Sequence, residues 1–141
     1  MDTISIRRTT EGIDFEEVAA LLASVGIGDF PADVRRAAFE NSRVVVFLLQ
    51  EERLIGCGRA LSDGAYEAAL YDVAVAPDMQ GKGLGRRIVE EVFAGLEGQN
   101  VIFFASAGKE PFYEKLGCAR MKTGMARFAR PERMRARGYI D

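Results

Sequence analysis

The passage from residue 67 to residue 105 constrains this chain more than any other. It opens with "EAALYDVAV", which reads as a strand, and closes with "VIFFA", a second short apolar run. Between them Leu84, Ile88, Val92 and Leu96, with Val89 and Phe93, fall on one face of a helix. Strand, helix and strand in that order need a crossover, so 67–75 and 101–105 are expected to pair in parallel. The helix is entered through "QGKGLG", which packs Gly81, Gly83 and Gly85 into five positions. Glycine weakens a helix, so three of them at its mouth need a reason.

A tight turn into the helix is one reason, and it needs one glycine or two. A phosphate or pyrophosphate ligand accounts for all three, because consecutive amides at a helix N-terminus hold anions and glycine removes the Cβ that would block approach. Lys82, Arg86 and Arg87 add positive charge around the loop. The P-loop pattern GxxxxGK[ST] is absent. The dinucleotide fingerprint GxGxxG fails because Arg86 stands at its last glycine, and Ala105 and Ser106 occupy the region where it wants an acidic residue.

The rest of the chain supplies a mixed sheet around this passage. Residues 4–9 read as a first strand. A helix is expected over 14–25, with Phe15, Val18, Ala19, Leu22 and Val25 on one face and Asp14 as its cap. "GIGDFP" breaks it, and a second helix follows over 32–41 with Pro31 near its start. Residues 43–49 form a continuous apolar run, the pattern of a strand covered on both faces. "QEER" and "SDGA" turn this run into 54–61 and then 67–75, an antiparallel meander. A late helix starts near 108–109, since Pro111 is tolerated only in a first turn, and ends at Leu116 with Gly117 as its C′ residue. A final strand pair is expected within 119–128. With 48% hydrophobic residues and no repeat or linker, the chain reads as a single domain over 1–141.

Composition removes several functions. A net charge of −2 does not mark the whole chain as a nucleic-acid binder. Arg120, Lys122, Arg127, Arg130, Arg133, Arg135 and Arg137 make the C-terminal stretch basic, but Phe128, Met134 and Tyr139 interrupt it, as in a solvated face. No apolar run is long enough to span a bilayer, and "MDTISIRRTTEG" lacks the apolar core of a signal peptide, so a cytoplasmic protein with no membrane partner is expected. The two cysteines, Cys57 and Cys118, form no CxxC and read as free thiols of a reducing compartment. There is no histidine, which removes the commonest general base and the commonest metal ligand. No metal is expected.

Gln80-Gly81-Lys82-Gly83-Leu84-Gly85 resembles the Q/R-x-x-G-x-G/A signature of the GNAT superfamily of N-acetyltransferases. Two further segments agree. "LYDVAVAP" lies where that family has its pantetheine-binding strand, and "PFYEKLGC" is close to the family's FYEKLGF segment. Within the superfamily, residues 62–85 with the late "GMARF" look like the small serotonin acetyltransferases of plants and cyanobacteria. The resemblance implies an α/β fold with a mixed, mostly antiparallel sheet, a central splayed pair of parallel strands and flanking helices. It implies transfer of an acetyl group from acetyl-CoA to a primary amine, with CoA as product.

The same resemblance implies roles residue by residue. The pyrophosphate would lie on the amides of Gly81, Lys82, Gly83, Leu84, Gly85 and Arg86, with Gln80 ordering the loop. Val73, Ala74 and Val75 would hold the pantetheine arm through backbone groups, and an amide near Val75 would polarise the thioester carbonyl. Tyr113 would stand beside the CoA sulfur and protonate the departing thiolate; the other reading is a half-buried core tyrosine. Asp72 would take the amine's proton through water, with Glu67 and Tyr71 as alternatives and a surface carboxylate as the plain reading. Ser106 stands where relatives often carry an asparagine that bonds the arm. The acceptor pocket would involve "VGIGDFP" and the neighbourhood of 121–125, with Phe30, Phe39 and Tyr66 as candidate walls, and the acceptor would be a small-molecule or protein amine. A monomer or homodimer is expected. The alternative functions are a CoA-binding regulatory module without turnover and, from the basic C-terminus, a nucleic-acid-binding module.

Overall fold

Apolar residues at a period of two build a sheet, and apolar residues at a helical period cover it. The computed structural model describes residues 3–141. In chain order the elements are β1 (Ile4–Arg7), α1 (Phe15–Ser24), α2 (Ala32–Glu40), β2 (Val44–Gln50), β3 (Arg53–Ser62), β4 (Glu67–Val75), α3 (Leu84–Ala94), β5 (Asn100–Ile102), α4 (Glu110–Lys115) and α5 (Pro131–Ala136). They fall into two compact units, one ending at Phe103 and the other spanning Phe104–Asp141.

In the first unit the strands lie in the order β1-β2-β3-β4-β5. The first four are antiparallel neighbours, and β5 joins β4 in parallel. The meander and the crossover expected from the sequence are both present. Asp14 caps α1, its carboxylate accepting from the Glu16 amide at 2.9 Å. β2 is buried along nearly its whole length because helices cover both of its faces. The alternation of β3 shows how. A Cβ added at Gly58 would stand 2.6 Å from Ile88 Cγ2 on α3, so only glycine lets that helix come so close. The next residue, Arg59, lies over the ring of Phe39 on α2. Successive residues of a strand point to opposite faces, so α3 and α2 cover opposite sides. Beneath α1 and α2, Phe15, Phe39 and Phe47 form an aromatic core with centroids 5.4–6.2 Å apart. Beneath α3, Ile88, Val89 and Val92 are fully buried.

β5 pairs with β4 only at Glu67↔Asn100, Ala68↔Val101 and Ala69↔Ile102. β4 then runs on to Val75 without it, so the parallel pair at the β5 edge of the sheet parts after Ala69. β5 is shorter than the expected 101–105 because Phe103 onward leaves the ladder.

The second unit differs from expectation. No strand forms within 119–128; every residue from 119 to 127 is exposed, with Met125 at 95% exposure. A strand needs a buried face to fix its register. Here Arg120 and Lys122 occupy one alternation, which Gly124 interrupts, and Arg127 occupies the other. Instead Phe104 meets Phe128 and Tyr139 edge-on at 5.6 and 5.5 Å, and α5 forms with Pro131 and Glu132 in its first turn and Arg133 and Arg135 in its last. That placement of proline and charge suits a helix and its dipole.

Candidate functional site

The chain leaves β4 through one 3-10 turn, Pro77–Met79, and enters the glycine loop. Two contacts fix this exit. Gln80 Nε2 donates to the Val75 carbonyl at 3.0 Å, and Arg53 grips the Asp78 carboxylate with two bonds of 2.8 and 2.7 Å. Gly81 and Gly83 have φ of 78° and 80°, the left-handed region that disfavours any side chain. A Cβ added at either would meet no protein atom within 4 Å, so open space lies over both. Gly85 is different: its φ is not positive and it sits in the first turn of α3.

α3 begins at Gly83 without a side-chain cap and without an acidic residue in its first turn. Its first bond runs from the Arg87 amide to the Gly83 carbonyl at 3.2 Å. The amides of Leu84, Gly85 and Arg86 therefore have no helical acceptor and carry the positive end of the helix dipole. Arg86 is paired along the helix with Glu90 at 2.6 Å, Lys82 Nζ lies 3.9 Å from Met79 Sδ, and Arg87 is exposed.

Val73, Ala74 and Val75 are the last residues of β4, past the end of its pairing with β5. Ala74 and Val75 pair with Cys57 and Gly56 on β3. On the other edge no strand accompanies them among the described residues. Val73 faces α3, with its Cγ2 3.6 Å from a Cβ added at Gly58.

Asp72 lies at a β-bulge, where the β3–β4 register shifts between Cys57 and Arg59. Its φ is 56°, rare for a residue with a side chain. Its carboxylate is on the face opposite Val73, yet it is not a surface group: the side chain is 9% exposed. Arg59 Nε donates to Asp72 Oδ2 at 2.6 Å, and Arg35 Nη1 stands 3.7 Å from Oδ1. Arg59 lies over the rings of Phe39 and Tyr71 at 5.6 and 5.1 Å and donates to Ser42 Oγ at 3.2 Å. Arg35 donates through Nη2 to the Ile27 carbonyl and lies over Phe30 at 5.2 Å. Burial pulls the Arg35 guanidinium below its ordinary pKa, and Asp72 opposes the shift. The Cys57 thiol donates to the Asp72 carbonyl at 3.4 Å and is held protonated, by burial first and by the Asp72 charge second.

Sequence reasoning missed Arg35 and Arg59. The signals were there. Arg35 stands four residues before Phe39, on the buried stripe of α2, and Arg59 is the lone charge inside "LIGCGRAL". Of the candidate wall residues, Phe39 is core, while Phe30 and Tyr66 are exposed.

Tyr113 and Ser106 belong to the second unit. Tyr113 is half-buried on α4, its ring 4.9 Å from that of Phe112. Burial, with a smaller contribution from Cys118, pushes its hydroxyl up to about 12. Ser106 is exposed, and its carbonyl accepts from the Lys109 amide at 2.9 Å. No group of acidic or cysteine side chains that could hold a metal occurs among the described residues. No helix among them is long and apolar enough to cross a membrane.

A mixed sheet whose last, parallel strand parts from its neighbour, with a glycine loop and an uncapped helix following that neighbour, defines an α/β acyltransferase fold. The family model for the acetyltransferase (GNAT) domain matches residues 40–117, and the chain belongs to that family. It is 32% identical over 116 residues to an uncharacterized N-acetyltransferase, ycf52, of Pyropia yezoensis, covering 77% of this chain and 67% of the relative. It is 33% identical over 124 residues to the chloroplastic serotonin N-acetyltransferase 2 of Oryza sativa subsp. japonica, covering 82% and 61%. Among solved structures, a GNAT family acetyltransferase of Streptococcus pneumoniae superposes with a TM-score of 0.76 at 23% identity, covering 91% of this chain and 99% of that one.

Proposed function

We propose that the chain transfers an acetyl group from acetyl-CoA to a primary amine, by direct attack while both are bound. One observation carries the reading: an unpaired strand edge, two left-handed glycines under open space and an uncapped helix N-terminus follow one another from Val73 to Arg86. A strand edge suits an arm bearing amides, and free helix amides suit a pyrophosphate. Acetyl-CoA has both, and when bound it supplies an activated thioester.

The residues then take these roles. The amides from Gly81 to Arg86 hold the pyrophosphate, and the absence of a side chain at Gly85 keeps the helix mouth clear. Gln80 fixes the loop to the end of β4 through its bond to Val75. The backbone of Val73, Ala74 and Val75 pairs with the pantetheine arm, and the Val75 amide polarises the thioester carbonyl. Ser106 offers a hydroxyl to the same arm. Tyr113 holds its proton on Oη at neutral pH, since its pKa is pushed up to about 12, and donates it to the departing sulfur. Both carboxylate oxygens of Asp72 face guanidinium groups. This favours a positioning role for Asp72 and leaves the amine's proton to water.

The chain spans about 61–67% of the length of the two relatives named above, and the rice relative's name suggests an arylalkylamine acceptor. The test is thiol release from acetyl-CoA with serotonin, tryptamine, spermidine and lysine peptides. Amine-dependent release is expected. Binding of acetyl-CoA without release for any amine would make the protein a CoA-binding module.

A further inference from the structure

Asp72 is a strained residue held by two arginines from different elements, and one of the two also holds a loop. The left-handed backbone of Asp72, at φ 56°, is strained and persists only where its surroundings over-determine it. Arg59, on β3, is itself fixed between Phe39, Tyr71 and Ser42. Arg35, on α2, divides its fork between the Asp72 carboxylate and the Ile27 carbonyl, and Ile27 lies in the α1–α2 loop between Gly26 and Gly28, both at positive φ. Arg35 Nε is buried with no hydrogen-bond partner, so this guanidinium is committed to its two contacts at the expense of a third. A buried charge in that position is costly unless it is paired. An arginine kept solely to stabilise the core would be outdone by an apolar side chain of similar volume.

We propose that Arg35 and Asp72 are positioning residues, which tie the α1–α2 loop at residues 26–30 to the β4 bulge and so set the backbone of Val73 to Val75 according to the state of that loop. The role in catalysis rests on the acetyltransferase reading above; the mechanical link does not. Asp72 adjoins Val73 in the chain, so any rotation at the bulge is passed directly to the strand edge. The two left-handed glycines make the loop the softer partner, and Phe30, 57% exposed over Arg35, lies where an incoming molecule would press on it.

The test uses the whole chain with three substitutions: Asp72→Asn, Arg35→Met and Arg35→Lys. Asparagine tolerates the left-handed region, so Asp72→Asn removes the charge and keeps the backbone. Amide hydrogen exchange is read first, without ligand. Asp72→Asn is expected to speed exchange at residues 26–30 by about 10-fold, and Arg35→Met to do the same at residues 71–75, while the amides of β2 keep their protection. Exchange that rises only around the substituted residue, or equally in β2, overturns the link. Turnover is read second, below the melting temperature of each variant. A kcat lower by about 10–100-fold is expected for Asp72→Asn and Arg35→Met, the scale of a small misplacement. Arg35→Lys should recover part of it, and the acetyl-CoA dissociation constant, which the same strand edge helps to set, should rise in Asp72→Asn and Arg35→Met and recover in part in Arg35→Lys. A normal kcat in both variants would show the pair to be structural only. Wild-type protein that acetylates no amine would refute the proposed function, and the exchange data would still decide the link.

Discussion

Replacing Gly83 by alanine separates two reasons for glycine at the mouth of α3. The first reason is conformational. Gly83 has φ of 80°, and forcing a side chain into that region costs about 1–2 kcal/mol. The second is the ligand, since nothing of the protein itself occupies the space a Cβ would take. Gly98 is a matched control: its φ is 81°, its Cβ would also meet nothing within 4 Å, and it lies beyond the other end of α3. Gly83→Ala and Gly98→Ala should therefore lose similar stability without ligand. Acetyl-CoA at about 100 times its dissociation constant stabilises a binding protein by about 2.7 kcal/mol. At about 2–4 °C per kcal/mol for a chain near this length, that is a rise in melting temperature of about 5–11 °C. Wild type and Gly98→Ala should show the full rise at a fixed acetyl-CoA concentration, and Gly83→Ala should lose most of it. The assay is a pair of thermal melts per variant, with and without acetyl-CoA. A full rise in Gly83→Ala would mean that the loop is a turn and nothing more.

Three further outcomes follow from geometry already described. Tyr113→Phe should lower kcat and kcat/KM together by about 10²–10⁴-fold while acetyl-CoA affinity, measured by calorimetry, is unchanged. The raised pKa of Tyr113 has its own signature: the neutral hydroxyl is favoured in the fold, so its contribution is intact below pH 10 and is lost as pH climbs toward about 12. Denaturant titrations at pH 9 and 11.5 should show wild type losing more stability than Tyr113→Phe. Gly58→Ala should destabilise by about 1–3 kcal/mol, because the new methyl would stand 2.6 Å from Ile88 Cγ2. Adding Ile88→Ala should return part of that loss, read from the same titrations.

The elements with a buried face were legible in the sequence. β4 has the expected bounds, and α1, α2 and α3 end within a few residues of expectation, because burial imposes the period that was read. The glycine loop was legible as a helix entrance, and Gln80 does bond to the end of β4. What was not legible depends on third parties. The bulge at Asp72 arises from a register shift against β3, which no local pattern in "LYDVAVAP" encodes. The ion cluster joins residues 35, 59 and 72, and only the packed sheet brings them together. The strand pair expected within 119–128 does not form, because residues 119 to 127 are all exposed and no buried face fixes a register there.

The short ladder between β4 and β5 also sets how the first unit yields to force. Three residue pairs hold β5, against four between β1 and β2, seven between β2 and β3 and six between β3 and β4. Tension applied at Phe103, where the first unit ends, loads those three pairs first. The strand they release carries no rung of the meander, so β1 to β4 keep every one of their own pairs when it goes. Pulling at that point should therefore record an early, low-force step that frees β5, and a later, larger one for the meander. The glycine loop, which follows β4, belongs to the part that holds.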